Sequence, residues 1–288
     1  MKALLKDCPV CGYVHVDPKP EQKELEKMYK NTFYDTEKPG YVENYRNDAD
    51  WWFSVYKERL EFVGRKLNVE CGRVLDVGSG TGLFLEAGRK LGWDVVGVEP
   101  SRSNVEFNRS VGLDVIEGFF DQNSIAKLRD KEFDFVHTSQ VLEHVLDPLN
   151  ILSLSQEVLS DEGLICVVVP NDFNDLQLAL RDNDGYAPWW VVPKHHINYF
   201  SFDSLRKLLH KAGYQVVHET TTFPMEIFLM MGDNYVGNDE LGRACHKKRM
   251  RMEMLMNKAG LSELKSDMYE GLAKLGIGRE IVMYAKKA

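Results

Sequence analysis

The stretch Val74 to Leu85, VLDVGSGTGLFL, limits what this chain can become more than any other. An apolar run carrying one carboxylate, Asp76, enters glycines at alternate positions, Gly78, Gly80 and Gly82, and a second apolar run follows. A buried strand turns sharply into a helix here, because glycine accepts backbone conformations and close approaches that a Cβ forbids. From Arg73 onward the pattern then alternates: RVLDVG, a helix from Gly82 to Leu91, DVVGVE from Asp94 to Glu99, a helix from Ser101 to Ser110, and DVIEG. That rhythm predicts βαβ units on a parallel sheet.

In open parallel sheets, ligands bind beyond the carboxyl ends of the strands, and an acidic residue about 20 positions past the glycine loop reaches ribose hydroxyls. Glu99 stands in that position. A dinucleotide site would favour G-x-G-x-x-G with no carboxylate ahead of it, since the pyrophosphate rests on a helix N-terminus. Asp76 would repel a pyrophosphate, and the loop reads G-S-G-T-G. The extra carboxylate suits a ligand that carries a positive amine, as S-adenosylmethionine does.

The string D-V-G-S-G-T-G together with Glu99 resembles the class I S-adenosylmethionine-dependent methyltransferases. The resemblance implies an α/β, Rossmann-like doubly wound sheet of seven strands with an antiparallel last strand. It implies S-adenosyl-L-methionine as cofactor, held by Asp76, Gly78, Ser79, Gly80, Gly82 and Glu99, with Pro100 and the helix cap Ser101 near the ribose. It further implies Phe120 against the adenine ring and Asp121 against its amino group, although Asp121 also reads as the cap of a helix from Gln122 to Leu128. A second stretch, FDFVHTSQVLEHVLDP (Phe133 to Pro148), resembles the ubiquinone-biosynthesis-type and deoxysugar methyltransferases. There His137, Thr138, Ser139 and Gln140 pass the methionine end of the cofactor, and Glu143 and His144 follow on a turn.

The chain has 288 residues, 44% of them hydrophobic, enough for one substantial core and small accessory elements. The expected organisation is a knuckle (1–20), a helical cap (21–70), a core (71–222), a helical insertion (223–278) and a last strand (279–288). No apolar run approaches the roughly 20 residues that span a bilayer, and the amino terminus shows no signal-like region, so the expectation is a cytoplasmic protein without a membrane partner. A net charge of -8 argues against a nucleic-acid surface, and the Asn-Pro-Pro-Tyr-type loop of base methyltransferases is absent after the fourth strand. The expected partner is a small-molecule acceptor, and oligomeric state is left open. Five cysteines at scattered positions make no disulfide framework.

Cys8 and Cys11 resemble the second knuckle of a zinc ribbon found in some sugar C-methyltransferases, with the first knuckle missing. His15 and Cys71 look like poor substitutes, so no metal is expected. Between residues 21 and 67 an amphipathic pattern carries many aromatics, among them the candidate lid residues Tyr34 and Tyr45. An irregular polar stretch with Tyr186, Trp189 and Trp190 leads to PKHHINYFS and reads as an acceptor loop. The following segment, SFDSLRKLLHKAGYQVVHE, gives a capped helix whose capping box looks imperfect, with Leu205 in the fourth position.

Methyl transfer from a sulfonium is a direct displacement, so the protein must align the acceptor and, for a hydroxyl or carbon acid, remove a proton. His144, His195 and His196 are the candidate bases, each also able to serve its own loop by hydrogen bonding. Arg243, His246 and Arg249 fall at helical spacing in the insertion and suggest a cationic stripe for an anionic acceptor group, against a solvated helix face or a methionine-built dimer contact. O- or C-methylation of a sugar nucleotide or quinone-like compound is the leading expectation. A catalytically inactive cofactor-binding module and a nicotinamide-dependent oxidoreductase are the alternatives.

Overall fold

The computed structural model describes residues 4–31, 41–128 and 132–288; the candidate lid residue Tyr34 lies outside them. In chain order the elements begin with strands β1 (Leu4–Cys8) and β2 (Tyr13–Asp17) and helices α1 (Gln22–Asn31), α2 (Tyr41–Asn47) and α3 (Ala49–Leu67). The alternating region follows as β3 (Arg73–Val77), α4 (Leu83–Lys90), β4 (Asp94–Glu99), α5 (Arg102–Ser110), β5 (Asp114–Glu117), α6 (Gln122–Leu128) and β6 (Phe133–Ser139). Then come α7 (Pro148–Val158), β7 (Leu159–Pro170), α8 (Asp175–Asn183), β8 (Asn198–Tyr199), α9 (Phe202–Lys211) and β9 (Tyr214–Thr221). Helices α10 (Glu226–Met230), α11 (Asp239–Lys258) and α12 (Ser262–Lys274) precede the final strand β10 (Glu280–Lys287).

Seven strands form the main sheet in the order β5-β4-β3-β6-β7-β10-β9. The pairs from β5 to β7 are parallel, whereas β10 runs antiparallel to both β7 and β9, as the resemblance implied. Strands buried on both faces need apolar residues at successive positions, which the sheet supplies. Leu75, Val136 and Ile165 face Ile125, Leu152 and Leu205 of the helices on one side. Val74, Phe135 and Cys166 face Leu60, Phe84 and Val105 on the other.

Three features depart from the expected pattern. A second sheet, β1-β2-β8, ties the knuckle to the stretch beyond the histidine pair. The region read as irregular contains α8, whose N-cap Asn174 accepts from the N–H groups of Leu176 and Gln177. The capping box of α9 is complete: Ser204, not Leu205, is the third helical residue, and Ser201 and Ser204 each accept from the other's backbone N–H. Among the described residues no helix is long and apolar enough to cross a membrane.

Candidate active site

Strand β3 ends at the carboxyl edge of the sheet, and the glycine loop turns back over it. The N–H groups of Gly78 and Ser79 both donate to the Val98 carbonyl of the neighbouring strand. Gly78 has φ +74 and a Cβ there would meet Val141 at 2.7 Å, so only glycine fits. Glu99, at the end of β4, braces the same loop: its Oε2 accepts from Gly80 N–H and its Oε1 from Ser101 N–H, each at 2.8 Å. Burial pushes the Glu99 carboxyl up to about 7, against these two N–H donors and with help from the nearby charge of Asp76. Asp121 does cap α6, its Oδ1 accepting from Asn123 and Ser124.

Beneath Asp76 lies a buried chain of side chains that the sequence did not disclose. His137 on β6 sits level with Asp76 in the parallel register, and its Nδ1 lies 2.7 Å from Asp76 Oδ1. Its other nitrogen, Nε2, lies 3.0 Å from Nη1 of Arg59 on α3. Since the guanidinium can only donate, Nε2 accepts and Nδ1 carries the hydrogen. Burial holds the imidazole below its ordinary pKa, with Asp76 opposing and Arg59 assisting, so the ring is neutral. The ring also stacks on Phe84 at 3.9 Å. His137 therefore fixes Asp76 from behind while still bordering the cavity.

A cavity of about 720 Å³ opens above these groups, a size that suits a drug-sized ligand. Asp76, Gly78, Ser79, Gly80, Glu99, Pro100, Phe120, Asp121 and Ser139 line it, along with His144, His196, Tyr45 and Trp189. Gly82 and Ser101 do not. A Cβ on Gly82 would collide with the Asn108 side chain, so that glycine permits α4 to pack on α5. Ser101 serves through its backbone N–H on Glu99. Trp190 is buried away from the cavity, edge-on to Phe173 at 5.8 Å.

The histidines separate by position. His144 Nδ1 lies 2.7 Å from the His195 carbonyl oxygen, so Nδ1 is the donor and Nε2 holds the lone pair. His195 thus contributes its backbone oxygen, and its ring does not line the cavity. His196 stands edge-on to His144 at 5.0 Å, and Glu143, fully buried, places Oε1 3.8 Å from His144 Nε2. Glu143, His144 and His196 offer ligand atoms within 4.8 Å of one another.

The insertion covers the cavity from the carboxyl side, contributing Met225, Tyr235, Gly242, His246 and Arg249 to its lining. Each member of its cationic stripe has a partner within the protein. The Arg243 guanidinium forms a forked pair with Asp48, lies off the cavity, and shares Asp48 with His246 Nε2 at 3.5 Å. Arg249 Nε pairs with Glu253 Oε1 at 3.1 Å and its guanidinium lies 4.8 Å over the Trp51 ring. The Arg243–Asp48 pair joins roof to cap, while His246 and Arg249 border the cavity with these carboxylates beside them.

The family model described as a methyltransferase domain matches residues 45–219, the span that carries the glycine loop, Glu99 and the histidine turn. The chain belongs to this methyltransferase family. Among its relatives, the ubiquinone biosynthesis O-methyltransferase of Dinoroseobacter shibae is 27% identical over 198 residues, 59% of this chain and 79% of that protein. The Ruegeria pomeroyi protein of the same name is 30% identical over 196 residues, again 59% of this chain and 79% of the relative. Among solved structures, a SAM-dependent methyltransferase from Archaeoglobus fulgidus superposes with a TM-score of 0.53 at 20% identity, covering 85% of this chain and 99% of that one. The plantazolicin methyltransferase BpumL, solved in complex with a monoazolic desmethylPZN analog and SAH, gives a TM-score of 0.55 at 16% identity, covering 92% of this chain and 96% of that one. These likenesses support the fold. The methyltransferase is an enzyme whose cofactor is S-adenosylmethionine.

Proposed function

We propose that this methyltransferase O-methylates a small hydroxylated aromatic acceptor. The observation that carries the reading is His144: it lines the cavity, and the His195 carbonyl commits its Nδ1 as donor, leaving Nε2 able to take a proton. The aromatic lining, including Tyr45, Trp51, Trp52, Tyr56, Trp189 and Tyr235, suits a flat apolar acceptor, and the relatives named O-methyltransferases agree with oxygen as the nucleophile.

The residues present fit S-adenosylmethionine. The cradle at Gly78 has no room for a Cβ, and the carboxylates Asp76 and Glu99 flank a ligand that bears positive charge. In this reading Asp76 faces the amine, the Gly78–Gly80 backbone and Ser139 border the methionine end, Glu99 and Pro100 meet the ribose, and Phe120 and Asp121 meet the adenine. The bound cofactor supplies a sulfonium methyl group. His144 Nε2 accepts the acceptor's hydroxyl proton while Glu143 steadies the developing imidazolium, and the aromatic wall holds the oxygen in line. Turnover of a catechol-type acceptor tests this. His144→Ala should lose about 10² to 10⁴ in kcat with little change in cofactor affinity, while His195→Ala, which keeps the carbonyl, stays near wild type. Full activity in His144→Ala would sink the proposal.

The cluster Glu143, His144 and His196 favours a second reading, in which a divalent cation held there acidifies the acceptor hydroxyl. Chelation should then abolish turnover and magnesium or manganese restore it. Activity indifferent to chelators leaves the histidine as the direct base.

A further inference from the structure

The β1–β2 hairpin carries a side-chain cluster that methyl transfer does not use. The Sγ atoms of Cys8 and Cys11 and a ring nitrogen of His15 lie within 4.8 Å of one another, and among the described residues no fourth histidine, cysteine or carboxylate joins them. The turn between the cysteines is closed by Gly12 N–H on the Cys8 carbonyl at 2.8 Å, and Cys11 N–H points at Cys8 Sγ at 3.5 Å. An N–H aimed at sulfur favours the thiolate form. His15 is the decisive member. Its Nδ1 lies 2.7 Å from the Val16 carbonyl oxygen, which only accepts, so Nδ1 holds the hydrogen and Nε2 the lone pair. A metal-binding imidazole is oriented in the same way, by a backbone carbonyl on its far nitrogen. Cys8 and His15 are buried and Cys11 is half-buried, so the group is shielded yet reachable.

We propose that Cys8, Cys11 and His15 form a zinc site with three protein ligands and a fourth position open to water. Two thiolates and one imidazole select a soft, tetrahedral ion over calcium or magnesium. Zinc at about 2.3 Å from sulfur and about 2.0 Å from nitrogen brings its ligand atoms within about 4 Å of each other, a small contraction of the cluster. Binding releases the thiol protons and staples the hairpin. The staple reaches the active site through the second sheet, where His15 pairs with Asn198. Asn198 Nδ2 donates to the carbonyls of Leu142 and Val145, which bracket the Glu143–His144 turn.

Cobalt substitution in the full chain, freed of metal by chelation, reads the site directly. Titration with CoCl₂ should give sulfur-to-cobalt charge-transfer absorption and four-coordinate d–d bands, saturating at one equivalent and displaced by ZnCl₂. The Glu143–His144–His196 cluster has no sulfur, so the charge-transfer band reports the hairpin alone. Cys11→Ser should weaken cobalt binding about 100-fold or more, and His15→Ala about 10-fold or more. Zinc should also slow amide exchange in β1, β2 and β8. No charge-transfer absorption on titration with CoCl₂, a Cys8–Cys11 disulfide in the reduced-purified chain, or unchanged cobalt affinity in both variants would each overturn the proposal.

Discussion

At the residue scale, the buried chain Arg59–His137–Asp76 is the feature with the largest expected effect on both folding and cofactor binding. His137 bridges the guanidinium and the carboxylate, at 3.0 and 2.7 Å. Replacing it with leucine leaves both charges buried without that link, a change that costs about 3 to 5 kcal/mol. Urea unfolding should show that loss, and His137→Gln, which can still donate to Asp76, should recover part of it. A His137→Leu protein as stable as wild type would mean that Asp76 and Arg59 find other company. Asp76 was legible in the sequence because it interrupts an apolar strand. Arg59 and His137 were not, since a lone arginine in an amphipathic helix and a histidine on a strand acquire meaning only when β3, β6 and α3 bring them together.

At the element scale, the strands and helices from 73 to 139 could be read from periodicity and the glycines because each βα unit buries its faces locally. Helix α8 and strand β8 could not: one depends on the Asn174 cap in a polar context, and the other is two residues long and exists through pairing with β2. The insertion was legible as helical and as lying near the glycine loop, because β9 ends and the antiparallel β10 begins at the carboxyl edge of the sheet. The partners of its arginines were hidden, since Asp48 and Glu253 carry no signal of pairing in sequence. Helix α11 is fastened to α3 by Trp51 Nε1 on Glu253 Oε2 at 2.6 Å, by Asn257 on Glu58 at 2.7 Å, and by the Arg243–Asp48 fork. A double-mutant cycle on Asp48→Ala and Arg243→Ala should give a coupling of about 1 to 2 kcal/mol, between the values for exposed and fully buried pairs. Arg243→Ala should also raise the acceptor KM while leaving cofactor affinity intact. Zero coupling would detach the roof from the cap.

At the scale of the whole molecule, the open edge of the sheet is stocked with buried acid groups. Asp172, just beyond β7, is pushed up to about 7 by burial, with Arg279 and the Phe200 N–H opposing. A carboxyl with a raised folded-state pKa binds its proton more tightly when folded, so its contribution is fully present below about 4 and is lost as pH rises towards 7. The stability difference, Asp172→Asn minus wild type, should therefore grow between pH 4 and 7 by up to about 1.4 kcal/mol per unit. Thermal unfolding across that range checks it, and a difference independent of pH would remove Asp172 as the cause.

The cavity itself gathers the glycine loop, both carboxylates, the histidine turn and the helical roof at one place, and its role as the cofactor site turns on Glu99. Calorimetric titration of S-adenosylhomocysteine into wild type and folded Glu99→Gln addresses this most directly. Loss of charge-assisted hydrogen bonds to the ribose should weaken binding by about 1.5 to 3 kcal/mol, roughly 10- to 150-fold in Kd. Equal affinity in the two proteins would contradict the assignment of Glu99 and move the cofactor elsewhere in the fold.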